Sequence, residues 1–87
     1  MSSDYTNVTD GTPTKPDYTP TDPDDNYTAD LQFANVFWQW SKGEWYQQSC
    51  PPGLTFNSRL NLCDWPRDAN NDAPFVLNDP SLDKNAP

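Results

Sequence analysis

Two blocks decide how this chain folds: Gln48-Ser49-Cys50-Pro51-Pro52-Gly53-Leu54-Thr55-Phe56-Asn57 and Asn61-Leu62-Cys63-Asp64-Trp65-Pro66. Pro51-Pro52-Gly53 turns the chain, Leu54-Thr55-Phe56 reads as a short strand, Asn57-Ser58-Arg59 turns it again, and Leu60-Asn61-Leu62-Cys63 brings it back. A small hairpin is therefore expected, bounded by Cys50 and Cys63. Joining the two cysteines closes a loop of 14 residues, for which the chain-entropy model gives roughly 3 kcal/mol of stabilisation. The chain contains no His, so two thiols fall short of a zinc ligand set, and their spacing is far from the Cys-x-x-Cys of redox enzymes. A disulfide is the expected state, and it implies an oxidising compartment or exposure at a particle surface.

Upstream of this block the sequence predicts a second, larger hairpin. Phe33 to Trp40 and Glu44 to Ser49 are rich in strand-favouring aromatics, and Ser41-Lys42-Gly43 supplies the turn glycine. With side chains alternating, Val36, Trp38 and Trp40 share one face and Phe37 and Gln39 the other, while Trp45 and Gln47 oppose Tyr46 and Gln48. Both faces carry aromatics, and a two-stranded hairpin cannot bury both unaided, so at least one meets the rest of the chain or a ligand. Eight of the twelve aromatics, including all four Trp, lie between Phe33 and Trp65. The expected fold is small and all-β: an antiparallel hairpin sheet followed by a smaller disulfide-bounded β-hairpin, with long irregular tails.

The flanks differ sharply in composition. Residues 1–30 carry seven Asp against Lys15 and are almost entirely Thr, Pro, Asp, Asn, Ser and Tyr, which reads as an acidic linker or tail. Residues 31–71 read as the folded domain, and residues 72–87 as a polar extension in which Phe75-Val76-Leu77 can form one short strand. The net charge of -8 resides at these ends. It argues against nucleic acid and anionic membranes as partners, because both are bound largely through Lys and Arg. No run of 18 apolar residues is present to span a bilayer. The opening Met1-Ser-Ser-Asp-Tyr-Thr lacks the basic and apolar regions of a signal peptide, so either a signal was removed or none was needed. Asn7-Val8-Thr9 and Asn26-Tyr27-Thr28 fit the N-glycosylation pattern, and chance sequons in an Asn- and Thr-rich tail remain the alternative. Asp22-Pro23-Asp24-Asp25-Asn26 echoes a calcium loop, but Tyr27 and Phe33 stand where Gly and Glu are required, so no metal or other cofactor is expected.

The two opening blocks, together with Phe37-Trp38-Gln39-Trp40 and the Gly43 turn, resemble the type-2 chitin-binding domain, the peritrophin-A family or carbohydrate-binding module family 14. The resemblance covers about 35 residues and runs aromatic-aromatic-Gln-Cys, Cys-Pro-x-Gly-Leu-x-Phe-Asn and Cys-Asp-Trp-Pro. The family carries six cysteines paired first to third, second to sixth and fourth to fifth; Cys50 and Cys63 match the fourth and fifth. Trp40 stands where the third would be, Ala34 where the second would be and Asn71 or its neighbour where the sixth would be, with no counterpart of the first. Both missing bridges have lost both partners, which makes this a coherent reduced version of the fold, with the Trp40 ring expected to fill vacated space and Phe75-Val76-Leu77 to supply apolar cover.

The resemblance implies a non-catalytic module that binds chitin or a related N-acetylglucosamine polymer, in an extracellular or secreted setting. From the family pattern Trp65 becomes a stacking or framing aromatic and Asn57 and Asp64 hydrogen-bonding partners, with Tyr46 and Trp45 as further platforms. Each also has a purely structural reading: Trp65 as core, Asn57 bonded to its own backbone, Asp64 capping a turn. An enzyme is not expected, since without His there is no imidazole base or Ser-His pair, and the core offers only Glu44, Asp64 and Asp68 as carboxylates. The rival reading is a structural or assembly protein, such as a virion or matrix component, that uses the domain as a knob and residues 1–30 for protein contacts.

Overall fold

The computed structural model describes residues 6–8, 11–21 and 26–82. The calcium-like run 22–25, Thr9 of the first sequon and residues 83–87 lie outside the described residues. The fold is small and nearly all-β, as the sequence predicts. Its strands are β1 (Thr6–Val8), β2 (Tyr27–Ala29), β3 (Val36–Ser41), β4 (Glu44–Ser49), β5 (Thr55–Asn57), β6 (Leu62–Asp64) and β7 (Phe75–Leu77), with one helical turn, α1 (Pro66–Ala69).

Strands β3 and β4 form the predicted antiparallel hairpin, in register from Val36 opposite Ser49 to Ser41 opposite Glu44. This register leaves Lys42-Gly43 as a two-residue loop, and both residues have positive φ (53° and 80°), the geometry whose twist suits a tight hairpin. The faces divide as alternation requires. Val36, Trp38 and Trp45 are buried on one side, whereas Tyr46 on the other side is exposed. Strand β2 adds a third, antiparallel strand on the β3 edge, with Thr28 opposite Trp38. It comes from the segment expected to be tail, because its three residues lack the hydrophobic run that would mark a strand.

The second hairpin, β5 with β6, pairs Thr55 with Asp64 and Asn57 with Leu62. Gly53, with φ of 86°, closes the turn that starts it, where Leu54 N–H donates to the Pro51 carbonyl. Cys50 and Cys63 form the expected disulfide, their Cα atoms 5.7 Å apart. The Phe37 and Phe56 rings stack with centroids 4.5 Å apart, joining the second hairpin to one end of the sheet face that carries Gln39 and Tyr46. Strand β7 lies parallel to β1, so the two flanks close on each other.

A short irregular run, residues 33–35, couples these parts. Ala34 N–H donates to the Phe75 carbonyl, and the Ala34 carbonyl accepts from Phe56 N–H. Asn35 uses its carboxamide as a substitute strand: Oδ1 accepts from Leu77 N–H and Nδ2 donates to the Leu77 carbonyl, both at 2.8 Å. Asn71 Nδ2 donates to the carbonyls of Ala34 (3.2 Å) and Phe56 (3.0 Å), while its Oδ1 accepts from Ala73 N–H. Ala34 and Asn71, two positions at which the resemblance places missing cysteines (the second at Ala34, the sixth at Asn71 or its neighbour), are thus joined by a side-chain amide. Ala34, Ala73, Val76 and Leu82 pack as one buried apolar cluster behind it.

Trp40 packs edge-on against Trp45, centroids 5.2 Å apart, and Tyr18 packs edge-on against the same Trp45 at 5.6 Å. Trp45 Nε1 donates to the Tyr18 carbonyl at 2.9 Å. Trp38 Nε1 donates to Asp30 Oδ1, and the same buried carboxylate accepts from the backbone N–H groups of Thr14, Gln32 and Phe33. Residues 14–18 thus form a strap tied at one end to Asp30, just beyond β2, and at the other to Trp45 of β4. Gly11 fits only because it has no side chain: a Cβ there would lie 2.5 Å from the Phe33 ring.

Replacing Asn71 by Ala strips two donors from buried carbonyls and is expected to lower unfolding free energy by about 1–3 kcal/mol in a urea titration. Reduction of Cys50–Cys63, read in the same titration, is expected to cost about 3 kcal/mol.

Candidate binding surface

The second hairpin organises a small polar and aromatic unit around Trp65. Asn57 is 1% exposed; its Oδ1 accepts from Arg59 N–H, and its Nδ2 lies 3.4 Å from both Asp64 Oδ2 and the Asp68 carbonyl. Asp64 in turn accepts Trp65 N–H on Oδ1 at 2.8 Å. Trp65 caps α1, with Pro66 in the first helical position where a missing N–H costs nothing, and its carbonyl accepts from Asp68 and Ala69 N–H. The backbone of Trp65 is therefore fixed on both sides while its indole is 60% exposed. Arg59 Nη2 donates to the Asp68 carbonyl at 3.0 Å and fastens the end of α1 to the hairpin loop.

A second group lies on the outer face of the three-stranded sheet. Gln39 of β3 stands opposite Tyr27 of β2 and opposite Tyr46 of β4, so the three side chains form one row across the strands. Strand spacing places the two tyrosines about 10 Å apart with the glutamine between them. Gln39 Oε1 faces Gln48 Nε2 at 3.4 Å, and Phe37 packs beside Tyr27 with ring centroids 6.1 Å apart. Tyr46 is 43% exposed.

The five residues singled out from sequence thus fall into three places. Asn57, Asp64 and Trp65 are brought together, Tyr46 stands on the sheet face, and Trp45 lies on the opposite face. Two of the expected contacts do not fit a surface role. Trp45 is 5% exposed, covered by Trp40 and Tyr18, and its N–H is already donated. Asn57 is buried, with both ends of its carboxamide turned to protein partners. Both act as support and not as contacts: Trp45 because its face of the hairpin meets the strap, and Asn57 because the hairpin loop and α1 close over it. Tyr27 and Gln39, which share the Tyr46 row, were not singled out from sequence. Tyr27 sits in a segment whose composition reads as tail, and only the strand register lines it up with Gln39.

The domain thus presents exposed aromatic rings beside amides and a carboxylate on two hairpins of one small β-fold. Residues 21–71 match the chitin binding Peritrophin-A domain, and the chain belongs to that family. The family is that of a non-catalytic carbohydrate-binding module. An endochitinase from Manduca sexta is 41% identical over 46 residues, which cover 53% of this chain and 8% of that protein. The chain therefore spans a small fraction of the length of this relative. No solved structure matches.

The exposure difference makes a direct test of placement. Trp65→Ala is expected to change stability by no more than about 0.5 kcal/mol. Trp45→Ala is expected to cost about 3–5 kcal/mol by loss of buried ring contacts, both measured by chemical denaturation.

Proposed function

We propose that this domain grips chitin or a related N-acetylglucosamine polymer through exposed rings of Trp65 and Tyr46, with Asp64 supplying hydrogen bonds, and that it works outside the cell. The observation that carries the reading is the Trp65 unit: a largely exposed indole whose backbone is held by Asp64, itself contacted by Asn57. An exposed apolar ring costs free energy in water, and a backbone already held in place leaves only side-chain freedom to be lost when a sugar stacks on it. Asp64 keeps acceptor capacity on each oxygen beyond the bonds to Trp65 and Asn57, enough to take a sugar hydroxyl. Tyr27 and Gln39 extend the surface on the sheet face, the tyrosine as a ring and the glutamine as a donor and acceptor for acetamido groups.

Each ring that covers ~50–80 Å² of apolar sugar and ring surface contributes on the order of 1–2 kcal/mol. Two or three such contacts give micromolar to millimolar single-site affinity. Retention on a solid polymer then depends on many contacts made at once or on several copies held together. The assembly reading draws less support, because a good part of residues 1–30 is engaged with the domain itself through the strap and β2.

A pull-down of the oxidised chain on insoluble chitin, with cellulose as control, tests the proposal. Retention on chitin is expected, falling at least about tenfold in Trp65→Ala and in Tyr46→Ala while both variants keep the wild-type unfolding midpoint. Equal retention on the two polymers, or undiminished retention in both variants, would refute it.

A further inference from the structure

The strap leaves a cavity between itself and the free edge of the three-stranded sheet. The span Lys15-Pro16-Asp17 is held at one end by Thr14 N–H on Asp30 Oδ1 and at the other by the Tyr18 carbonyl on Trp45 Nε1. Proline at 13 and 16 restricts the backbone dihedrals, so the span arches instead of collapsing onto the sheet. Beneath it is a space of about 410 Å³ lined by Lys15, Pro16, Tyr18, Thr28, Ala29 and Leu31.

The wall on the sheet side carries backbone groups that the sheet does not use. Trp40 N–H donates to the Asn26 carbonyl, and Asp30 N–H donates to the Val36 carbonyl. Antiparallel alternation therefore turns the N–H and C=O of Thr28 toward β3 and those of Ala29 away from it, into the cavity. Beside this donor and acceptor pair stand a half-exposed Tyr18 ring and the Leu31 side chain, which is 87% exposed. Lys15 and Asp17 line the same space with opposite charges.

We infer that this cavity is a second sugar-binding site, which takes one N-acetylated sugar residue with its acetamido carbonyl on the Ala29 N–H. A ring hydroxyl donates to the Ala29 C=O, the acetyl methyl group covers Leu31 and Pro16, and the pyranose face lies against Tyr18. The charged pair of Lys15 and Asp17 serves the remaining hydroxyls as donor and acceptor. An extended peptide could use the same edge, but the arch closes the space above it, and β2 offers only three residues to pair with. The inference rests on the reading of the domain as a binder of N-acetylated sugars. It adds to that reading a site on the strap side of the sheet, away from the Tyr46 face. A domain with two such sites can hold two polymer chains at once.

The test is an amide chemical-shift titration of the full oxidised chain with soluble N-acetylglucosamine tetramer, repeated with the deacetylated tetramer and with Leu31→Asp. Leu31 is exposed, so this change is expected to leave the fold intact. Two sets of perturbed amides are expected, one around Trp65 and Tyr46 and one at residues 15–18 and 29–31. In Leu31→Asp the second set should weaken roughly fivefold to tenfold and the first should not move. Deacetylation should abolish the second set. Perturbation confined to the Trp65 and Tyr46 set overturns the inference and leaves the proposed function standing. A second set that persists undiminished with the deacetylated tetramer also overturns it. No perturbation anywhere removes the proposed function and this site with it.

Discussion

The Ala34 carbonyl is where the two halves of this domain meet. It accepts the Phe56 N–H and the Asn71 carboxamide together, so the second hairpin, the segment after α1 and the run leading into β3 are fastened at one oxygen. A disulfide at this place would join two points through a covalent bond that constrains the unfolded chain. A carboxamide joins three points and acts only in the folded state, where buried carbonyls would otherwise lose their water partners. Where a disulfide would constrain the unfolded ensemble, the side-chain amide acts as a penalty against opening. The buried apolar cluster of Ala34, Ala73, Val76 and Leu82 packs behind it.

The same logic governs the strap. Its composition is too polar to bury a face, yet it is fixed because three buried groups of the sheet need partners. Trp38 and Trp45 each carry an indole N–H that must be satisfied when the ring is buried, and Asp30 carries a carboxylate that demands donors. Asp30 itself takes the Trp38 indole N–H, and the strap serves the other two groups with backbone atoms: Thr14 N–H donates to Asp30, and the Tyr18 carbonyl accepts from Trp45. With Trp45 and Trp38 occupied on the inner face and Phe37 covered by Phe56, the rest of the outer face carries Tyr27, Gln39 and Tyr46.

The two hairpins and the disulfide were legible from sequence because they rest on local signals: turn glycines at 43 and 53, strand-favouring aromatics and paired cysteines. The grouping of Asp64 with Trp65 was legible because the residues are adjacent, and Asn57 joins them across the hairpin they share. What escaped depends on tertiary demand. Strand β2 and the strap are polar by composition, and their order comes from acceptors and donors on other elements. The inward turn of Trp45 and the burial of Asn57 follow from contacts with Tyr18, Asp64 and α1 that no pattern in the chain announces. Tyr27 was invisible as a surface ring for the same reason: its role exists only once β2 has found its register beside β3.

The parallel pairing of Thr6–Val8 with Phe75–Leu77 joins the beginning of the described chain to its far end. A contact so distant in sequence closes a long loop before it gives anything back, and such topologies form slowly. The hairpins can form as soon as they are synthesised, but the flanks cannot mate until residues 75–77 have been made. During synthesis the aromatic sheet is therefore present before its last cover, and the nascent domain passes through a stage in which Thr6–Val8 must wait, solvated, for a partner still to be made.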